Sequence, residues 1–174
     1  MVTIPLHSPQ QLERYIPDVS LELSSSTLFH LTLSLPSGPT IFLVATSCPS
    51  TLLPTCSSCQ PSRLLYSSDT CTPFGALDET TPVCFNETFC LKEMAVKVGG
   101  SQGVLGLAPD FQMGKSLMGQ MKAEGLIDQK IMSLYLAEDD NNTSEITFGG
   151  YDSFKIVKDD NEGYGIHWFA VTSQ

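Results

Sequence analysis

The chain is short of positive charge, of long apolar runs and of any repeat. Nine Lys and Arg face 19 Asp and Glu, a formal net charge of −10 at pH 7. A surface of that sign repels phosphate backbones, which argues against a nucleic-acid partner. It also suits a protein that meets low pH, where carboxylates lose charge and repulsion falls; plain solubility accounts for it equally. The longest apolar run, Ile41–Ala45, is far too short to cross a bilayer. No Gly-x-Ser-x-Gly elbow is present, so the signature of a serine hydrolase is missing. The glycines of Gly99-Gly-Ser-Gln-Gly103 precede a strand rather than a helix, which argues against a phosphate loop. No internal repeat is visible.

What is present describes a globular domain. A chain of 174 residues with 41% hydrophobic content can bury one real core. Leu28–Leu35 alternates apolar and polar residues for most of its length, as a half-buried strand does. Pro36-Ser-Gly-Pro39 reads as a turn. Ile41–Ala45 is apolar throughout and reads as a strand buried on both faces. Cys48–Pro82, rich in Ser, Thr, Pro and Cys, reads as loops with a short strand near Arg63–Tyr66. Strand character returns at Val83–Val98, Gly103–Ala108, Ile131–Leu136, Ile146–Gly149 and Ile166–Val171. A single helix is expected at about Ser116–Glu124, with Ser116 as N-cap and Gly125 just past its end. Many strands, one helix and no βαβ alternation predict a mostly β fold.

Several of these segments resemble the N-terminal lobe of pepsin-like aspartic proteases. Gly103-Val-Leu-Gly-Leu-Ala-Pro109 resembles the hydrophobic-hydrophobic-Gly strand of that family, and Gly119–Ile127 resembles its helix and following turn. Met132–Leu136, Ile146-Thr-Phe-Gly-Gly-Tyr-Asp152 and His167–Thr172 follow in family order, and the Phe-Gly-Gly-x-Asp hairpin is the most specific piece. The resemblance runs over residues 21–174, closest from Gly103 onward, and implies a single lobe there preceded by an N-terminal extension at 1–20.

The resemblance implies chemistry that one substitution removes. The family shares a proton between two carboxylates, one per lobe, because two like charges about 3 Å apart cannot both ionise. One acts as general base and the other as general acid on a water. Each Asp stands in an Asp-Thr-Gly-Ser/Thr turn after an apolar strand. The matching positions here are Ala45, Thr46, Ser47 and Cys48, of which only Thr46 agrees. The Tyr-bearing hairpin that closes over substrate in the family has no clear counterpart between Cys71 and Cys84. Asp69-Thr-Cys-Thr72 mimics the motif but follows polar residues, so Asp69 reads as a turn residue, and Asp152 reads as a structural hydrogen-bonding residue. Trp168 reads as a packing residue of the lobe.

Six cysteines cluster between Cys48 and Cys90. Cys56-Ser-Ser-Cys59 offers half of a zinc spacing without a second half, and His7, His30 and His167 are scattered, so no metal site and no cofactor are expected. The expected disulfides are Cys56–Cys59, which resembles the family's small loop after the active strand, Cys84–Cys90, and less firmly Cys48–Cys71, among the 15 pairings that six cysteines allow. Asn86, Asn141 and Asn142 begin sequons in polar stretches and are candidate glycosylation sites. Cysteines and sequons together favour the secretory route, extracellular or in an acidic vacuole, although Met1–Leu12 has no signal-peptide character. The functional expectation is a non-catalytic lobe that binds an extended peptide or protein partner. Alternatives are an acid endopeptidase active only with a second lobe, supplied in trans or missing here, and a truncated product without selected function.

Overall fold

A computed structural model of the chain describes residues 1–6, 29–46, 48–54, 79–98, 103–109, 116–137, 143–156, 158–159 and 163–164. The strands are β1 Val2–Leu6, β2 His30–Leu35, β3 Gly38–Ala45, β4 Leu52–Leu53, β5 Glu79–Cys84, β6 Cys90–Val98, β7 Gly103–Gly106, β8 Met132–Tyr135, β9 Ser144–Phe148, β10 Lys158–Asp159 and β11 Gly163–Tyr164. Among the described residues one α-helix, α1, spans Leu117–Ala123. The fold is mostly β. The expected strands near Arg63–Tyr66 and at Ile166–Val171 lie outside the described residues.

The β2–β3 hairpin starts the barrel. Leu31 and Leu33 are fully buried while Thr32 between them and Ser34 after them are exposed, the period of two that a half-solvated strand requires. Leu35 pairs with Gly38 across a Pro36-Ser37 turn, and Gly38 takes a φ of 117° that side chains disfavour. β3 then lies between β2 and β7, so adjacent residues Phe42 and Leu43 are both buried.

Six strands close into a barrel in the order β2-β3-β7-β4-β6-β5. The β3–β7 and β4–β6 pairs are parallel and the rest antiparallel. β4 falls within the segment read as loop from its composition; two residues are enough because β6 and β7 hold it from both sides. In the β5–β6 hairpin the register shifts between Thr81 and Val83, where Pro82 has no N–H to give the ladder.

A second sheet has the order β1-β9-β8. Its first strand lies within residues 1–20, which the sequence reading set before the lobe as an N-terminal extension. Val2–Leu6 pairs with Phe148–Ser144 along its whole length, and Ile4 and Leu6 turn into the core. Pro5 is tolerated because β1 is an edge strand of this sheet. The core is shared: Ile4, Leu6, Ile146 and Phe148 of this sheet join Leu31, Phe42, Leu91 and Leu105 of the barrel and Leu117 and Met121 of α1.

α1 matches its expected ends. The Ser116 hydroxyl accepts from the Gly119 N–H at 3.2 Å. At the other end Gly125 adopts a φ of 73°, Leu126 N–H donates to the Met121 carbonyl and Gly125 N–H to that of Lys122, a Schellman closure. Two side chains of this short helix also serve the barrel. Gln120 Oε1 accepts from Ala95 N–H, and the Glu124 carboxylate accepts from the N–H groups of Lys92 and Glu93.

Candidate functional site

The site is the turn that leaves β3. Parallel pairing sets Ala45 beside Gly106, at the ends of β3 and β7. The chain then turns back: Cys48 N–H donates to the Ala45 carbonyl at 3.4 Å. The same carbonyl accepts from Leu107 N–H at 2.9 Å, and the Cys48 carbonyl accepts from Ala108 N–H at 3.0 Å. The continuation of β7 therefore grips the turn through backbone alone, whatever side chains the turn carries.

Gly106 makes that grip possible. A Cβ there would stand 2.3 Å from the Ser50 carbonyl oxygen and 2.6 Å from that of Cys48. Backbone atoms occupy the space, so no rotamer relieves the clash. The sequence places this glycine in a segment that resembles a hydrophobic-hydrophobic-Gly strand. The spacing Gly103-Val-Leu-Gly106 was the available signal, and its necessity appears once Ser50 and Cys48 are seen to pass over it.

The side chains of the turn carry no acid or base. Ala45 is 6% exposed and packs in a small apolar cluster with Cys48, Leu52 and Val104. Thr46 is exposed and Ser47 lies outside the described residues. Cys48 is fully buried and disulfide-bonded, so the 3.3 Å approach of its Sγ to the Ser50 carbonyl is a packing contact without a proton to donate. The expected partner Cys71, like Cys56, Cys59 and Asp69, lies outside the described residues. A methyl group at position 45 neither holds a proton nor orients a water, and the Thr46 hydroxyl is too weak an acid to replace a carboxyl.

The other expected residues are dispersed. Cys84 and Cys90 form the expected disulfide at the tip of the β5–β6 hairpin. Asn86 lies between them on the exposed loop, and its side-chain carbonyl accepts from the N–H groups of Thr88 and Phe89 and from the Thr88 hydroxyl. Asn141 and Asn142 lie outside the described residues. Asp152 has the structural part read for it, accepting from Phe154 N–H at 2.9 Å to start a 3-10 turn at Ser153–Lys155. Nearby, Lys155 pairs with Glu145 and stands over the Tyr135 ring in a groove beside β8 and β9. His30 is fully buried in β2. Among the described residues no cluster of His, Cys, Asp or Glu has metal-binding geometry, and no helix is long and apolar enough to cross a membrane.

The described residues thus form a β-barrel in which the turn after one strand is clamped by a neighbouring parallel strand across a glycine that leaves no room for a side chain. The sequence profile of the eukaryotic aspartyl proteases matches residues 79–174, more than half of the chain, and the chain belongs to that family. A similar solved structure is a retropepsin-like aspartic protease from Rickettsia conorii, at 12% identity and a TM-score of 0.36, covering 70% of this chain and 81% of that one. No curated protein matches.

Proposed function

We propose that this lobe does not hydrolyse peptides and instead binds an extended peptide segment of a partner protein. What supports the reading is Ala45, which the sequence resemblance puts at the family's carboxylate position and which the backbone hydrogen bonds of the β7 continuation hold beside Gly106. A clamp built from Gly106, Leu107 N–H and Ala108 N–H fixes the backbone of the turn independently of its side chains. Ala45, Cys48, Leu52 and Val104 form a buried apolar cluster that supports the turn, and Thr46 stands exposed beside it. An exposed hydroxyl at the end of a strand suits contact with an extended backbone. The described disulfides support an oxidising, secretory setting.

The test is an assay of the purified chain on denatured protein at about pH 3–5, the range in which paired carboxylates share a proton, with and without pepstatin. The expected result is no pepstatin-sensitive cleavage, together with saturable binding of extended apolar peptides that Thr46→Lys weakens. Pepstatin-sensitive cleavage by the chain alone overturns the proposal.

The preserved clamp favours a second reading, an acid endopeptidase completed by another lobe. Adding a separately made lobe with an intact Asp-Thr-Gly turn separates the two. Cleavage with Ala45 in place supports the endopeptidase. Silence with Ala45 and activity only with Ala45→Asp supports the non-catalytic lobe.

A further inference from the structure

The tip of the β5–β6 hairpin puts a sequon inside a disulfide. Cys84 and Cys90 are cross-strand partners with Cα atoms 4.0 Å apart. Phe85 and Phe89 flank the loop and are buried, with ring centroids 5.8 Å apart edge to face, and Phe85 meets Phe148 at 5.5 Å. Asn86, Glu87 and Thr88 stand exposed above them. Asn86 Oδ1 accepts at 3.0 Å from Thr88 N–H, at 2.8 Å from Phe89 N–H and at 3.2 Å from the Thr88 hydroxyl. Among the described residues nothing holds Asn86 Nδ2, the atom that a glycan would use.

We infer that Asn86 is a glycan acceptor and that closure of Cys84–Cys90 ends its availability, so occupancy at this residue is set by a race between the two events. The transfer is complete in itself. Asn86 Nδ2 attacks the anomeric carbon of a lipid-diphosphate-linked oligosaccharide. The N–C bond forms, the bond from that carbon to the diphosphate oxygen breaks with its electron pair leaving on the lipid diphosphate, and one amide proton passes to a base of the transferase. Disulfide closure releases two protons and two electrons, which reduce the disulfide of a thiol-exchange partner.

The two events exclude each other in one direction only. An acceptor enters an active-site cleft as an extended segment with its reacting atom free to be positioned. The closed tip offers no such segment: the disulfide pins both ends, two phenylalanines are anchored in the core, and three donors fix the Asn86 side chain. Transfer first leaves the fold unharmed. The substituted Nδ2 keeps one hydrogen and faces solvent, and Oδ1 keeps all three donors.

This inference needs a secretory route but not the peptide-binding reading, and its readout is mass at one residue, so the two fail separately. The full chain is expressed behind a secretory leader in eukaryotic cells, and the peptide containing Asn86 is weighed before and after glycosidase. Partial occupancy is expected in the wild type, at least a two-fold rise in Cys84→Ser/Cys90→Ser, and complete loss in Thr88→Ala. Because the serine variant is able to misfold, a second arm delays closure in the wild-type chain with a pulse of thiol reductant during synthesis, and the same rise is expected. Absence of glycan from Asn86 in every arm, or occupancy indifferent to the disulfide, overturns the proposal.

Discussion

Gly106 and Ala45 face each other across two parallel strands and fail in opposite ways when changed. Gly106→Ala puts a methyl group against two backbone carbonyl oxygens. Overpacking of a well-filled interior costs about 1–3 kcal/mol, and more where nothing can move, so a loss of about 3 kcal/mol or more is expected in urea unfolding. Gly125→Ala is the control. Its Cβ meets open space, and only its φ of 73° is unfavourable; the left-handed conformation costs about 1–2 kcal/mol there.

Ala45→Asp puts a carboxyl in an apolar place, beside Cys48, Leu52 and Val104. Burial disfavours the charged carboxyl, so the folded-state pKa rises above the ordinary value of about 3.9. Below that value both states hold the proton and the ionisation penalty is absent. As pH rises the unfolded chain ionises first, and the penalty grows until the folded state ionises too. The variant's deficit against wild type should therefore be smallest below about pH 4 and larger by about 1–3 kcal/mol near neutrality, read from urea midpoints across pH. A deficit that shrinks with rising pH would mean that the turn supplies hydrogen-bond donors for a carboxylate.

At the scale of elements, α1 contributes more through its polar face than its length suggests. Gln120 and Glu124 satisfy three N–H groups of β6. Ala95 is buried, whereas Lys92 and Glu93 are exposed, so water replaces only the Glu124 carboxylate. Gln120→Ala should cost about 1–3 kcal/mol, the penalty for an orphaned buried donor, and Glu124→Ala clearly less. Hydrogen exchange at Ala95 should accelerate in the first variant and not in the second. The helix itself was legible because its signals are local: Ser116 to start it and Gly125 to stop it. The same holds for the Cys84–Cys90 pair. What α1 does for β6 was not legible, since Gln120 and Ala95 are brought together by the barrel and no pattern within either segment announces it. β4 was missed for a related reason. Two leucines among polar residues carry no period, and only β6 and β7 make them a strand.

At the scale of the molecule, the chain's first residues close a sheet with residues near 148, so the order of the fold is not the order of the sequence. Val2–Leu6 does alternate, with Ile4 and Leu6 inward and Thr3 and Pro5 outward. A proline is disfavoured in an interior strand, and the partner that leaves Pro5 on an edge is far along the chain. The candidate site divides the same way: Ala45-Thr46-Ser47-Cys48 was readable from the apolar strand before it, while the clamp needed the parallel β3–β7 pairing, which no local pattern encodes. The burial of Leu6 gives the fold-level prediction. Leu6→Ala should cost about 2–5 kcal/mol, as for a fully enclosed leucine, and Pro5→Ala, on an exposed edge, less than about 0.5 kcal/mol. Removing residues 1–6 takes away Ile4 and Leu6 together with the whole ladder to β9, so the loss should exceed that of Leu6→Ala. Thermal unfolding gives the order, and exchange at Ile146 and Phe148 locates the damage. A truncated chain that melts with the full-length one would return these residues to the status of an extension and leave β9 supported by β8 and the barrel core alone.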